Sequence, residues 1–132
     1  MPEPLGPDLA VRIVAFGFKF GLPQDADLVF DVRFLSNPNY IAALQPLTGR
    51  DAAVIEFMGR LPEIEPFLER LGALLDFLLE QYRRSGRAAV TIGIGCTGGW
   101  HRSVYVADRL AADLRRLPGV AISVESRELA AA

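Results

Sequence analysis

Between Ala88 and Glu125 the hydrophobic period of the chain changes twice, and this change restricts the fold more than any other feature. Ala88 to Ile94 (AAVTIGI) is a short apolar run with β-branched residues, the pattern of a buried strand. A tight loop, Gly95 to Gly99, follows it. From His101 to about Arg116 the apolar residues Val104, Ala107, Leu110, Ala111 and Leu114 recur along one helical face. Pro118-Gly119 then turns the chain into a last strand, Val120 to Glu125. Strand, helix and strand in this order make a crossover unit, expected to be parallel and right-handed.

The preceding residues add further elements of the same kinds. Val11 to Phe16 and Leu28 to Phe34 read as strands. The segment Gly17-Phe18-Lys19-Phe20-Gly21 between them is a loop bracketed by glycines. Ser36 to Tyr40 is a turn, and residues 41–50 are irregular. Asp51 is placed to cap a short helix running to about Arg60. A longer helix spans Ile64 to Arg84, with Phe67, Leu68, Leu71, Leu74, Leu75, Leu78 and Leu79 as its buried stripe and Ser85-Gly86 as its stop. The order β-β-α-α-β-α-β predicts a single layered α/β domain over 11–127. Its sheet should be mostly parallel or mixed, with about four strands and flanking helices. Residues 1–10, with three prolines and a glycine, read as a flexible leader, and 128–132 as a short tail.

Several function classes lose support at once. No apolar block approaches the ~18 residues of a membrane span, and no charged segment leads into an apolar stretch near Met1. A cytoplasmic location is therefore the default. One cysteine excludes an internal disulfide and leaves no zinc-type spacing, so no metal and no cofactor is expected. A net charge of −2 gives no general attraction to nucleic acid. The basic residues are almost all Arg, so the single Lys, Lys19 in its glycine-bounded loop, stands out.

The strongest chemical signal is Cys96-Thr97-Gly98-Gly99-Trp100-His101-Arg102-Ser103, between an apolar strand and a helix. Adjacent glycines allow positive φ and let amides gather round one point. The helix supplies further N–H groups and the positive end of its dipole. Arg102 can hold a phosphate, Thr97 and Ser103 can donate hydroxyls, and His101 can donate, accept or carry charge. The plain alternative is a tight turn whose Thr or Ser caps the helix. In a parallel sheet the Lys19 loop, the Asp31-Arg33-Asn37 segment and the Cys96 loop converge at one edge. There Lys19 and Arg33 would join Arg102, and Asp31 would bind an amino or hydroxyl group. Equally, Asp31 and Arg33 can form a local ion pair.

These segments also carry a resemblance. Phe16 to Pro23, Asp25-Ala26-Asp27, Phe30 to Leu35, Asn37-Pro38, Leu47-Thr48-Gly49, Ile94 to Gly99 and His101 to Val104 resemble, in order and spacing, the C-terminal domain of the RNase adapter family RapZ. The resemblance covers residues 12–127. It implies an adapter that binds small RNAs, recruits an endoribonuclease and senses glucosamine-6-phosphate. On this chain, Cys96 to Ser103 would surround the phosphate, with Asp31 and Asn39 near the rest of the ligand. Three departures temper the transfer. The chain contains no G-x-x-x-x-G-K-[ST] loop, so the family's N-terminal nucleotide-binding domain, and ATP or GTP binding with it, is not expected here. Trp100 stands where the family implies Lys, and can stack on a sugar face. The last residues are not basic, which counts against RNA.

The expected function is thus that of a non-enzymatic regulator binding a phosphorylated small molecule or similar anion. RNA and a homo-oligomer remain open as partners, and no membrane is expected. The alternative reads Cys96, Gly99, Arg102 and Ser103 as C-x-x-G-x-x-R-S, the signature of cysteine-dependent phosphatases. Cys96 would then be the nucleophile, Arg102 the phosphate holder and Asp31 the acid.

Overall fold

The strands form one parallel sheet because each apolar run returns to the sheet by way of a helix or a long connection. The computed structural model describes residues 9–131. Four strands, β1 (Leu9–Gly17), β2 (Leu28–Asp31), β3 (Ala89–Cys96) and β4 (Val120–Ser126), are ordered β2-β3-β1-β4. All three pairings are parallel. Gly17 lies opposite Cys96, Asp31 opposite Gly95, and Ala15 opposite Ser126. The strand ends, and the loops leaving them, therefore share one edge.

Helices α1 (Ala52–Gly59), α2 (Ile64–Arg84) and α3 (Arg102–Leu114) precede or follow β3, and a short α4 (Arg127–Ala131) follows β4. The core joins one sheet face (Val11, Ile13, Ala15, Val90, Ile92, Ile94) to Leu71, Leu75 and Leu79 of α2 and Val104, Ala107, Leu110 and Leu114 of α3. Burying such side chains contributes about 1.5–3 kcal/mol each before chain entropy is charged against it. On the other face the small residues Ala10, Ala89, Ala121 and Ser123 are exposed. Nearer the C-terminal edge, Phe16 and Phe18 fill that side, their rings edge-to-face at 4.9 Å.

Several boundaries differ from expectation. Leu9 is fully buried in β1, so the last two residues of the segment read as a leader belong to a strand; residues 1–8 lie outside the described residues. β2 stops at Asp31 instead of reaching Phe34. The Asp31 carboxylate accepts the Arg33 amide at 2.9 Å, and this local bond draws the backbone out of the ladder. β3 continues two residues past Ile94, because Gly95 and Cys96 pair with Asp31 and Gly17. Gly95 belongs there for lack of a side chain: a methyl group would sit 2.5–2.6 Å from the Phe18 and Phe16 rings. Leu74, assigned to the buried stripe of α2, is 46 % exposed. Asp51 occupies the N-cap position, yet its carboxylate accepts from the Thr48 amide and not from the first turn of α1. The short tail is helical from Arg127 to Ala131, and Glu128 within it is buried.

Candidate functional site

β1 leaves the sheet at Gly17 and enters a single 3-10 turn, Phe18–Phe20, that carries Lys19. β3 leaves beside it at Cys96, and Thr97 to His101 lead into α3. The two exits are stitched together by a hydrogen bond from the Lys19 amide to the Thr97 carbonyl at 3.3 Å. A second 3-10 turn, Pro38–Tyr40, closes the third side. Together they enclose a cavity of about 230 Å³ lined by Lys19, Asn37, Asn39, Gln45, Thr97, Gly98, Trp100, His101 and Arg102, with Phe20 and Cys96 completing it. It lies outside the carboxyl ends of the strands, where ligands of open parallel sheets bind.

The loop is narrower in its use of glycine than expected. Only Gly99 has positive φ (78°). Gly98 does not, and a methyl group there would meet nothing within 4 Å. Behind Gly99, Gly17 approaches so closely that a methyl group on Gly17 would lie 2.5 Å from the Gly98 carbonyl carbon. The Gly99 amide donates to Cys96 Sγ at 3.3 Å, and the thiol donates to Ser103 Oγ at 3.2 Å. Cys96 and Ser103 thereby brace the loop from inside. Ser103, expected to donate to a ligand, is fully buried and does not line the cavity. The amides of Gly98, Trp100 and His101 have no acceptor among the described residues. The first-turn amides of α3 add the unpaired donors of any helix N-terminus.

Arg102 makes bonds within the fold that its position did not suggest. Its side chain is buried, and Nη1 donates to the carbonyls of Arg33 at 2.8 Å and Leu35 at 2.9 Å. Nη2 reaches Thr97 Oγ1 at 3.4 Å, while Nε is buried without a partner. The guanidinium is thus largely spent on tying the turn after β2 to the Cys96 loop, and only part of its fork faces the cavity. His101 is likewise anchored, Nε2 lying 3.1 Å from the Leu44 carbonyl.

Lys19 and Arg102 share the cavity as expected, but Arg33 borders a neighbouring depression of about 600 Å³ that also touches Asn37, Tyr40, Thr97 and Arg102. Asp31 lines neither. Arg33 grips it with three side-chain contacts of 2.7–3.1 Å and stacks 4.0 Å over the Phe18 ring. Those hydrogen bonds hold the Asp31 carboxyl below its ordinary range, against a smaller opposing effect of burial. The local ion pair is therefore the arrangement present. Lys19 differs from most of the arginines. Among the described residues it has no carboxylate partner, its ammonium resting 5.1 Å from the Phe20 ring centre. Asn39 is on the wall, and its amide donates to Asn37 Oδ1. Of the two further wall residues, Asn37 lies in the segment expected to converge here, and Gln45 was not foreseen. Asn37 had a usable signal in the turn dipeptide Asn-Pro, but Gln45 sits in irregular chain with none.

Among the described residues there is no cluster of His, Cys, Asp and Glu suited to a metal ion, and no helix is long and apolar enough to cross a membrane. A sequence model of the RapZ C-terminal domain matches residues 9–130. Relatives include a nucleotide-binding protein of Symbiobacterium thermophilum, 51 % identical over 93 % of this chain and 40 % of that protein. A nucleotide-binding protein of Bacillus licheniformis is 53 % identical over 80 % of the chain and 36 % of its own length. The nucleotide-binding protein YvcJ of Bacillus subtilis is 52 % identical over the same shares, 80 % and 36 %. The chain thus spans about two fifths or less of these curated relatives. With the match running from the first residue of β1 into α4, the chain belongs to the RapZ C-terminal domain family.

Proposed function

We propose that this domain is a binding module for a small phosphorylated metabolite, with an amino-sugar phosphate such as glucosamine-6-phosphate as the best candidate. The observation that carries the reading is the pairing, in one cavity, of an unneutralised Lys19 with a loop whose amides at Gly98, Trp100 and His101 have no internal acceptor. Unpaired N–H donors beside a helix N-terminus and a nearby cation favour an anion. The remaining wall suits a sugar. Asn37, Asn39 and Gln45 offer amide donors and acceptors for hydroxyl or amino groups, and the Trp100 ring offers a flat apolar surface. At about 230 Å³ the cavity is below the range of about 300–1,000 Å³ typical of drug-sized sites, which fits a small metabolite. Titration calorimetry should give saturable binding of glucosamine-6-phosphate and weaker binding of inorganic phosphate. Lys19→Ala should lower affinity about tenfold, or ~1.4 kcal/mol. Absence of heat with both ligands would remove the reading.

The phosphatase alternative has less to support it. A nucleophilic cysteine needs access, whereas Cys96 is 3 % exposed and hydrogen-bonded to Ser103. A leaving-group acid must be protonated near neutral pH, whereas Arg33 favours ionised Asp31. Aryl phosphate turnover is expected to stay at background from pH 5 to 8 in wild type, Cys96→Ser and Asp31→Asn alike. A rate in the wild type that both substitutions abolish would make the domain an enzyme. RNA binding and an adapter role also have little to rest on here. The net charge is −2, and Arg127 near the C-terminus is engaged by Glu128 and the Gly21 carbonyl.

A further inference from the structure

We infer that the C-terminal helix α4 is a clamp that sets the position of Lys19, with Glu128 and Arg127 as its two positioning residues. This rests on the reading of the cavity as an anion site. The Lys19 turn begins at Gly17 and ends at Gly21. Glu128 Oε2 accepts the Gly17 amide at 2.8 Å, and Arg127 Nη2 donates to the Gly21 carbonyl at 2.7 Å. Adjacent residues of one helix therefore hold both ends of the turn. They also hold each other, Arg127 Nε and Nη2 lying 3.0 and 2.7 Å from Glu128 Oε2.

The same carboxylate bears on the amide loop. The Glu128 side chain is 8 % exposed, and its Cγ lies 2.6 Å from where a methyl group on Gly99 would be. It forms the rear wall behind the one positive-φ residue of the loop. A carboxylate costs free energy to bury unless it is paired and hydrogen-bonded. Here the Gly17 amide and Arg127 satisfy it, so the low-energy arrangement is also the one that registers Gly17 against Gly98 and Gly99. Without the helix, the 3-10 turn would keep two hydrogen bonds, from the Lys19 amide to Thr97 and from the Gly21 amide to the Phe18 carbonyl, with the Phe18 ring still packed on Phe16 and Arg33. Lys19 would then search a wider volume, and its ammonium would lose register with the amides across the cavity.

The test is a coupling experiment on the whole chain. Glu128→Ala should weaken glucosamine-6-phosphate binding at least tenfold, and Lys19→Ala on that background should add less than threefold. Glu128→Gln, whose carbonyl can still accept the Gly17 amide, should bind within threefold of wild type. Arg127→Ala, which leaves the carboxylate in place, should give an intermediate loss that is also non-additive with Lys19→Ala. Full additivity with Lys19→Ala, or wild-type affinity in Glu128→Ala, would overturn the clamp. Should Glu128→Ala not fold, the Arg127→Ala pair decides by the same criterion. NMR of the unliganded protein separates the clamp from the ligand reading. In Glu128→Ala the Gly17 amide should exchange faster, and Lys19, Gly98 and Gly99 should shift while Ile92 and Leu110 do not. Unmoved resonances would refute the clamp even if the ligand binds. If no sugar phosphate binds the wild type, the cavity reading fails and the clamp stands or falls on these amides.

Discussion

Gly99→Ala is expected to destabilise the domain by roughly 2–5 kcal/mol and to abolish ligand binding, while Gly98→Ala next to it should leave stability nearly unchanged. Left-handed backbone at φ 78° costs an alanine about 1–2 kcal/mol. The added methyl group would in addition stand 2.6 Å from the Gly17 nitrogen and from Glu128 Cγ, too close for either to remain in place. Overpacking of that kind typically costs about 1–3 kcal/mol. Gly98 faces open space without positive φ, so a methyl group there intrudes on the cavity alone. Urea unfolding and calorimetry on the two variants should therefore separate: Gly99→Ala loses both stability and affinity, Gly98→Ala affinity alone. Equal stability losses would mean that the approach of Gly17 to the loop is not as described.

Arg102→Ala should cost about 2–6 kcal/mol of stability, more than the loss of one ligand contact would suggest. Truncation leaves the Arg33 and Leu35 carbonyls without their shared donor and opens a gap beneath Thr97. Each unsatisfied buried carbonyl costs about 1–3 kcal/mol. Arg102→Lys should recover only part of this, because one ammonium cannot span both carbonyls and the Thr97 hydroxyl with the geometry of a planar fork. Chemical denaturation with and without glucosamine-6-phosphate is the measurement. A variant as stable as wild type but unable to bind would return Arg102 to the purely ligand-facing role that the sequence suggested.

What the sequence disclosed, and what it concealed, follows the range of the interactions involved. Helix α2 was legible, at about Ile64 to Arg84, because its stripe is periodic and Ser85-Gly86 ends it locally. Convergence of the Lys19 and Cys96 loops was legible too, since parallel strands must release their loops on one edge. The length of β2 was not. Asp31 reads as one more strand residue until its carboxylate is seen to capture the Arg33 amide. Gly93 and Gly95 weaken the strand signal of β3, although the Phe16 ring crowds the first position and the Phe16 and Phe18 rings together exclude a side chain at the second. Arg102 looked like a phosphate ligand because the carbonyls it serves lie far away in the chain. Glu128 had no signal at all: its partner, Gly17, is 111 residues distant.

The central position of β1 governs when the domain can come into being. The first strand made is flanked in the finished sheet by the last two, Ala10 pairing with Ala89 and Leu9 with Val120. During synthesis, β1 has no sheet neighbour until β3 emerges, and one of its edges stays open until β4 follows. Contacts of such separation close slowly, and an unpaired apolar strand is exposed to wrong partners meanwhile. The Gly17 amide finds Glu128 later still. A chain interrupted before Arg127 would thus expose a raw strand edge or leave the Gly17 amide without its acceptor.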